Sequence, residues 1–193
     1  RFAFHEQPRI AGAFPYGDLR LAIERNQLQV HLQGITHLRT GRVVGFEALA
    51  RWRHPTLGDI PPDVFIEVAE QTGLIHELTR WNLNVVLRHL AAARDAFGEH
   101  DAPSISVNIA VDALQKPGFV EQVQDLLKLW GVPPRQLRFE ITESGLMTDL
   151  QHCEQLLGAF RALGIGIGID DFGTGYSSMA YLRRLPADSL KID

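Results

Sequence analysis

The chain has 193 residues, 45% hydrophobic and 22% charged, with a formal net charge of -4. That length suits one sizeable domain with a real core, and the acidic balance offers no basic field for a DNA or RNA polymer. The single cysteine, Cys153, excludes an internal disulfide and suits a reducing compartment.

No apolar run approaches the ~18 residues of a membrane span, and the start lacks a signal-peptide pattern. The expected location is cytoplasmic. Residues 1–17 have no clean period and contain two prolines, Pro8 and Pro15. They are expected to form an N-terminal arm or linker, with the domain proper over 18–193.

A helix is expected from Asp18 to about Gln27. The stretch 29–52 reads as a hairpin, with Arg39-Thr40-Gly41 at its turn. Pro61-Pro62 opens a helix that Gly73 ends, and a second helix runs from about Leu74 to Phe97. Strand 104–110 precedes a helix near 117–130, and strand 137–142 precedes one near 149–163. Thr148 and Gln151 have capping-box spacing, and Gly164 can end that helix. Strand 165–170 precedes a helix near 177–184, and strand 189–193 closes the chain. Strands alternating with helices point to an α/β fold with a parallel sheet and right-handed crossovers. The pattern alone leaves an open sheet and a barrel both standing.

The strands carry an unexpected polar face. A parallel strand covered by helices normally reads as one apolar run. Here Ile105, Val107 and Ile109 oppose Ser106 and Asn108; Leu137, Phe139 and Ile141 oppose Arg138, Glu140 and Thr142. The isoleucines of 165–170 oppose Gly166, Gly168 and Asp170, while Leu190 and Ile192 oppose Ser189, Lys191 and Asp193. In 45–52, Phe46, Ala48 and Ala50 oppose Glu47, Leu49 and Arg51. If the apolar faces meet the helices, the polar faces converge, as they do inside a barrel at its C-terminal end. Gly166 and Gly168 would then leave room near Asp170.

Glu47, Asn108, Glu140 and Asp170 cannot be gathered in ionised form without a counter-charge. All-oxygen ligands suit a hard ion such as Mg²⁺ or Mn²⁺, and Asp171 could hold a second. Taken singly, Glu47 could pair with Arg51 or Arg53, Asn108 could bond a neighbouring backbone, and Lys191 could be an ordinary ion-pair lysine. The histidines show no zinc spacing. The Asp171-Phe172-Gly173 triplet also occurs in protein kinases, but no glycine-rich nucleotide loop or catalytic-loop motif accompanies it.

Five motifs in order, GFEALARW (45–52), SVNIA (106–110), FEITES (139–144), IDDFGTGYSS (169–178) and LKID (190–193), resemble the EAL-domain family of cyclic di-GMP phosphodiesterases. The resemblance covers residues 18–193. It implies a modified TIM (β/α) barrel with an antiparallel strand near its start. It also implies Mg²⁺- or Mn²⁺-dependent hydrolysis of cyclic di-GMP to linear pGpG. Glu47, Asn108, Glu140 and Asp170 would be metal ligands, and Asp171 would serve a second ion. Lys191 would stand beside the attacking water, so Glu47, Lys191 and Asp171 form the expected catalytic set. Gln33, Leu49, Arg51 and Asp193 would line the substrate, and Glu143 would anchor the loop after Asp171.

Gln33 is followed by Gly34, where the family usually has proline. The chain stops at Asp193 inside a strand. About two barrel strands, a downstream glutamate ligand and a later glutamine have no counterpart here, so the chain is expected to be a fragment with the barrel incomplete at its C-terminus; if the protein truly ended at Asp193, weak or absent catalysis would be expected. Family partners would be a second copy of the domain and an upstream sensory or GGDEF-type domain. The rival is a receptor of the same fold that binds cyclic di-GMP without cleaving it.

Overall fold

The computed structural model describes residues 16–98, 102–173 and 184–192. Most of the N-terminal arm, nearly all of the helix expected at 177–184, and Asp193 lie outside those residues. Helix α1 (Tyr16–Glu24) leads into β1 (Leu28–Thr36) and β2 (Val43–His54). These two form an antiparallel hairpin with Gln33 opposite Glu47. Its turn closes where Gly41 donates to the His37 carbonyl at 2.9 Å. A three-residue strand β3 (Gly58–Ile60), not foreseen from the sequence, folds back on the end of β2.

Helices α2 (Pro62–Thr72) and α3 (Ile75–Phe97) follow. Gly73, at φ 76°, ends α2 in the left-handed region that favours glycine. The chain then alternates: β4 (Ser104–Asn108), α4 (Val111–Leu114), α5 (Phe119–Trp130), β5 (Leu137–Thr142), α6 (Glu143–Leu146), α7 (Leu150–Leu163), β6 (Gly166–Asp170) and β7 (Ser189–Leu190). The strands form one sheet in the order β1-β2-β4-β5-β6-β7, and every neighbouring pair from β2 to β7 is parallel.

Several boundaries differ from the sequence expectation. Strand β4 ends at Asn108 rather than 110, and β7 at Leu190 rather than 193. The four-residue helices α4 and α6 follow β4 and β5; each is too short to show a helical period. The start of α7 is capped by Asp149, whose carboxylate accepts from the His152 amide at 3.1 Å. Thr148 is not the cap, because its hydroxyl is spent on the Gly145 carbonyl at 2.8 Å.

The apolar faces pack as the alternation requires. Ile105, Val107, Leu137, Phe139, Ile141, Ile167 and Ile169 are all buried against α3, α5 and α7. Phe139 is the hub, with its ring centroid 5.0 Å from Phe160 and 6.5 Å from Phe119. A second cluster seals α1, α2 and α3 against β1 and β2 around Trp52 and Phe65. With the outer face of the sheet covered by these two clusters, the polar alternates have only its inner face left. Among the described residues, no helix is long and apolar enough to cross a membrane.

Candidate active site

Five elements each deliver one polar side chain to the same place. Glu47 comes from the middle of β2, Asn108 and Asp170 from the last residues of β4 and β6, and Glu140 from β5. Lys191 follows directly on β7. The register explains the meeting: Asn108 pairs with Glu140, and Glu140 with Gly168, one step short of Asp170 on the same face.

The Lys191 ammonium is 2.8 Å from Glu47 Oε2, 2.8 Å from Glu140 Oε2 and 3.3 Å from Asp170 Oδ2. Asn108 Nδ2 donates to the other Glu47 oxygen, Oε1, at 2.8 Å. One oxygen from each of Glu47, Glu140 and Asp170 lies within 4.8 Å of the others. Burial alone would lower the Lys191 pKa. The hydrogen bonds and charges of Glu140 and Glu47 outweigh it and hold the ammonium above its ordinary range. Lys191 is therefore held as an ammonium that donates hydrogen bonds to these carboxylates.

Among the described residues, three carboxylates face one ammonium at the cluster, which leaves a surplus of negative charge there. Three carboxylate oxygens this close, with the Asn108 amide beside them, match the donor set of a hard divalent cation. The residues present thus fit such an ion.

A groove of about 510 Å³ opens beside the cluster, within the size range of small-molecule sites. Leu49, Arg51 and Asp171 line it, together with Asn108, Glu140 and Asp170. Its opposite wall comes from α2 and α3 through Ile66, Glu70, Leu78, Thr79 and Asn82. Sequence reasoning did not assign that wall. The polar interruptions Thr79 and Asn82 on an otherwise buried helix face are the signal that could have found it. Arg51 has one guanidinium nitrogen, Nη1, on the Ala50 carbonyl at 2.9 Å.

Gln33 stands directly across from Glu47 on β1 and is exposed. Asp171 does not join the carboxylate group; its backbone turns left-handed at φ 53°, and its amide donates to Asp170 Oδ1 at 3.0 Å. The turn that separates the two aspartates therefore begins at Asp171 itself, before Gly173. Glu143 is buried, away from the cluster, and its Oε2 accepts from the Gly173 amide at 2.9 Å.

Gly166 and Gly168 do leave room, but for other groups than Asp170. A Cβ on Gly166 would sit 3.0 Å from Arg138 Cγ; one on Gly168 would sit 3.1 Å from Ser189 Oγ and 3.3 Å from Glu140 Cγ.

The family model of the EAL domain matches residues 17–193. The chain belongs to the EAL domain family. It is 43% identical over 176 residues to the cyclic di-GMP phosphodiesterase NbdA of Pseudomonas aeruginosa, a match covering 91% of this chain and 22% of that protein. It is equally similar, 43% over 176 residues, to the bifunctional diguanylate cyclase/cyclic di-GMP phosphodiesterase MucR of the same organism, covering 91% of this chain and 25% of that one. The chain thus spans about a quarter of the length of these curated relatives. The solved MucR phosphodiesterase in complex with c-di-GMP superposes with a TM-score of 0.86 at 42% identity, over 92% of this chain and 71% of that one. The EAL domain here accordingly has the TIM-barrel-like architecture of its structural neighbours, with the antiparallel strand β1 at its start.

Proposed function

We propose that this EAL domain hydrolyses cyclic di-GMP to linear pGpG in a metal-dependent reaction. The observation that carries the reading is the convergence of Glu47, Asn108, Glu140, Asp170 and Lys191 beside a groove. The relatives named for this phosphodiesterase activity support it.

Glu47, Asn108, Glu140 and Asp170 would hold Mg²⁺ or Mn²⁺, and Asp171, at the groove wall, would serve a second ion. Such an ion, when bound, supplies charge neutralisation for the phosphodiester and acidifies a bound water. The chain's own groups do the rest. Lys191 stays protonated and orients the water or a phosphate oxygen by donation. Arg51 retains donors beyond the one used on Ala50 and meets a phosphate oxygen from the groove wall. Leu49 gives the nucleotide an apolar surface, and Gln33 contacts it from the rim. Asp193, outside the described residues, is proposed as a substrate contact on the resemblance alone. Glu143 fixes the loop after Asp171 by accepting from Gly173. The reading carries with it a cytoplasmic location, a second copy of the domain as partner and an upstream sensory or GGDEF-type domain.

Dialysis against a chelator should abolish turnover of cyclic di-GMP, and added Mg²⁺ or Mn²⁺ should restore it. Undiminished turnover after chelation would rule out the metal-dependent reading.

A further inference from the structure

Two residues before each member of the cluster stand Gly45, Ser106, Arg138, Gly168 and Ser189. Side chains two apart on a strand share a face, so these five form the layer directly beneath the cluster. Four of them are glycine or serine. Arg138 is the one long side chain of that layer.

It is also directed. Strand β6 lies between β5 and β7, and it presents Gly166 and Gly168 on the inner face. With no side chains there, groups from β5 and β7 meet across it. Arg138 Nη2 donates to Ser189 Oγ at 2.9 Å, and one layer up Lys191 reaches Glu140 at 2.8 Å. The guanidinium passes so close over Gly166 that an added Cβ would lie 3.2 Å from Nη1 and 3.3 Å from Cζ. Strand β7 is only two residues long. Its backbone is tied to β6 and the turn after it by few bonds: Asp188 exchanges two with Ile167, the Lys191 amide donates to the Ile169 carbonyl at 2.8 Å, and the Phe172 amide donates to the Lys191 carbonyl at 3.0 Å.

We infer that Arg138 is a positioning residue: by reaching across the bare strand β6 to Ser189, it fixes the start of β7 and so places Lys191 among Glu47, Glu140 and Asp170. The part of this inference that concerns turnover rests on the proposed phosphodiesterase reading; the part that concerns β7 does not.

The test is a double-mutant cycle of Arg138→Met, Ser189→Ala and both together, with two readouts. Hydrogen exchange at the Lys191 amide should speed up about tenfold in each single variant, as expected for losing one net hydrogen bond that holds a short element. The double variant should be no faster than the singles, and exchange in β4 should not change. With cyclic di-GMP, kcat should fall at least about tenfold while KM stays within about twofold. Ser189→Ala changes little volume, so it keeps the test valid if Arg138→Met folds poorly.

Unchanged exchange at Lys191 in both single variants, or effects that add in the double, would overturn the inference and leave Arg138 as a space-filler. If the exchange pattern appears but the unsubstituted chain turns over no cyclic di-GMP, the positioning role stands and the phosphodiesterase reading fails.

Discussion

Replacing Glu140 by glutamine should reduce kcat for cyclic di-GMP by on the order of a thousandfold or more, while the chain still folds. Glu140 is the most buried member of the cluster, at 4% exposure, and it stands on β5, one of the two central strands of the sheet. Its Oε2 holds Lys191 at 2.8 Å and belongs to the group that fits a divalent cation. Glutamine keeps the shape but halves the oxygen donors and removes the charge. Weakened charge stabilisation of several kcal/mol at the reacting phosphate corresponds to that loss. Folding should tolerate the change, because the substitution relieves repulsion from Glu47 and Asp170. Steady-state kinetics beside a thermal melt check both halves. A variant that retains a tenth of the activity would remove Glu140 from the centre of the chemistry.

The largest effect on stability is expected at Phe139→Ala. Phe139 is fully buried at the middle of β5, one residue before Glu140, with its face and edge against Phe119 and Phe160. Truncation would remove the hub on which α5 and α7 rest, and the cavity would be walled by helices that cannot both move in. A loss of about 3–5 kcal/mol is expected, measured by denaturant unfolding. Because Phe139 and Glu140 point to opposite faces, residual folded Phe139→Ala should bind the cation with little change at low temperature. A loss below about 1 kcal/mol would mean that the cluster repacks around the gap.

Much of this was legible in the sequence, and the reasons are local. In residues 137–142 the alternation of Leu, Phe and Ile with Arg, Glu and Thr fixes both the strand and its two faces, and β5 has those same bounds. The meeting of Glu47, Asn108, Glu140 and Asp170 followed from four such strands, because period two carries orientation as well as element type.

What stayed hidden depends on contacts between distant segments. Gly166 and Gly168 advertised space, but only the register shows that Arg138, Glu140 and Ser189 fill it. Arg138 read as one more polar alternate; its role appears only when β7 is seen two strands away. The far wall of the groove belongs to α2 and α3, whose placement over β2 no local pattern specifies. Thr148 and Asp149 both have capping chemistry, and the choice between them was decided by the Gly145 carbonyl that α6 places within reach of Thr148.

The most direct test of the account is to incubate the chain and its Glu47→Ala variant with cyclic di-GMP and Mg²⁺ and to follow the nucleotide by chromatography. The account predicts linear pGpG from the unsubstituted chain and none from the variant. Cyclic di-GMP that is bound by both but recovered intact would contradict it, and would make this domain a receptor for the nucleotide rather than an enzyme that cleaves it.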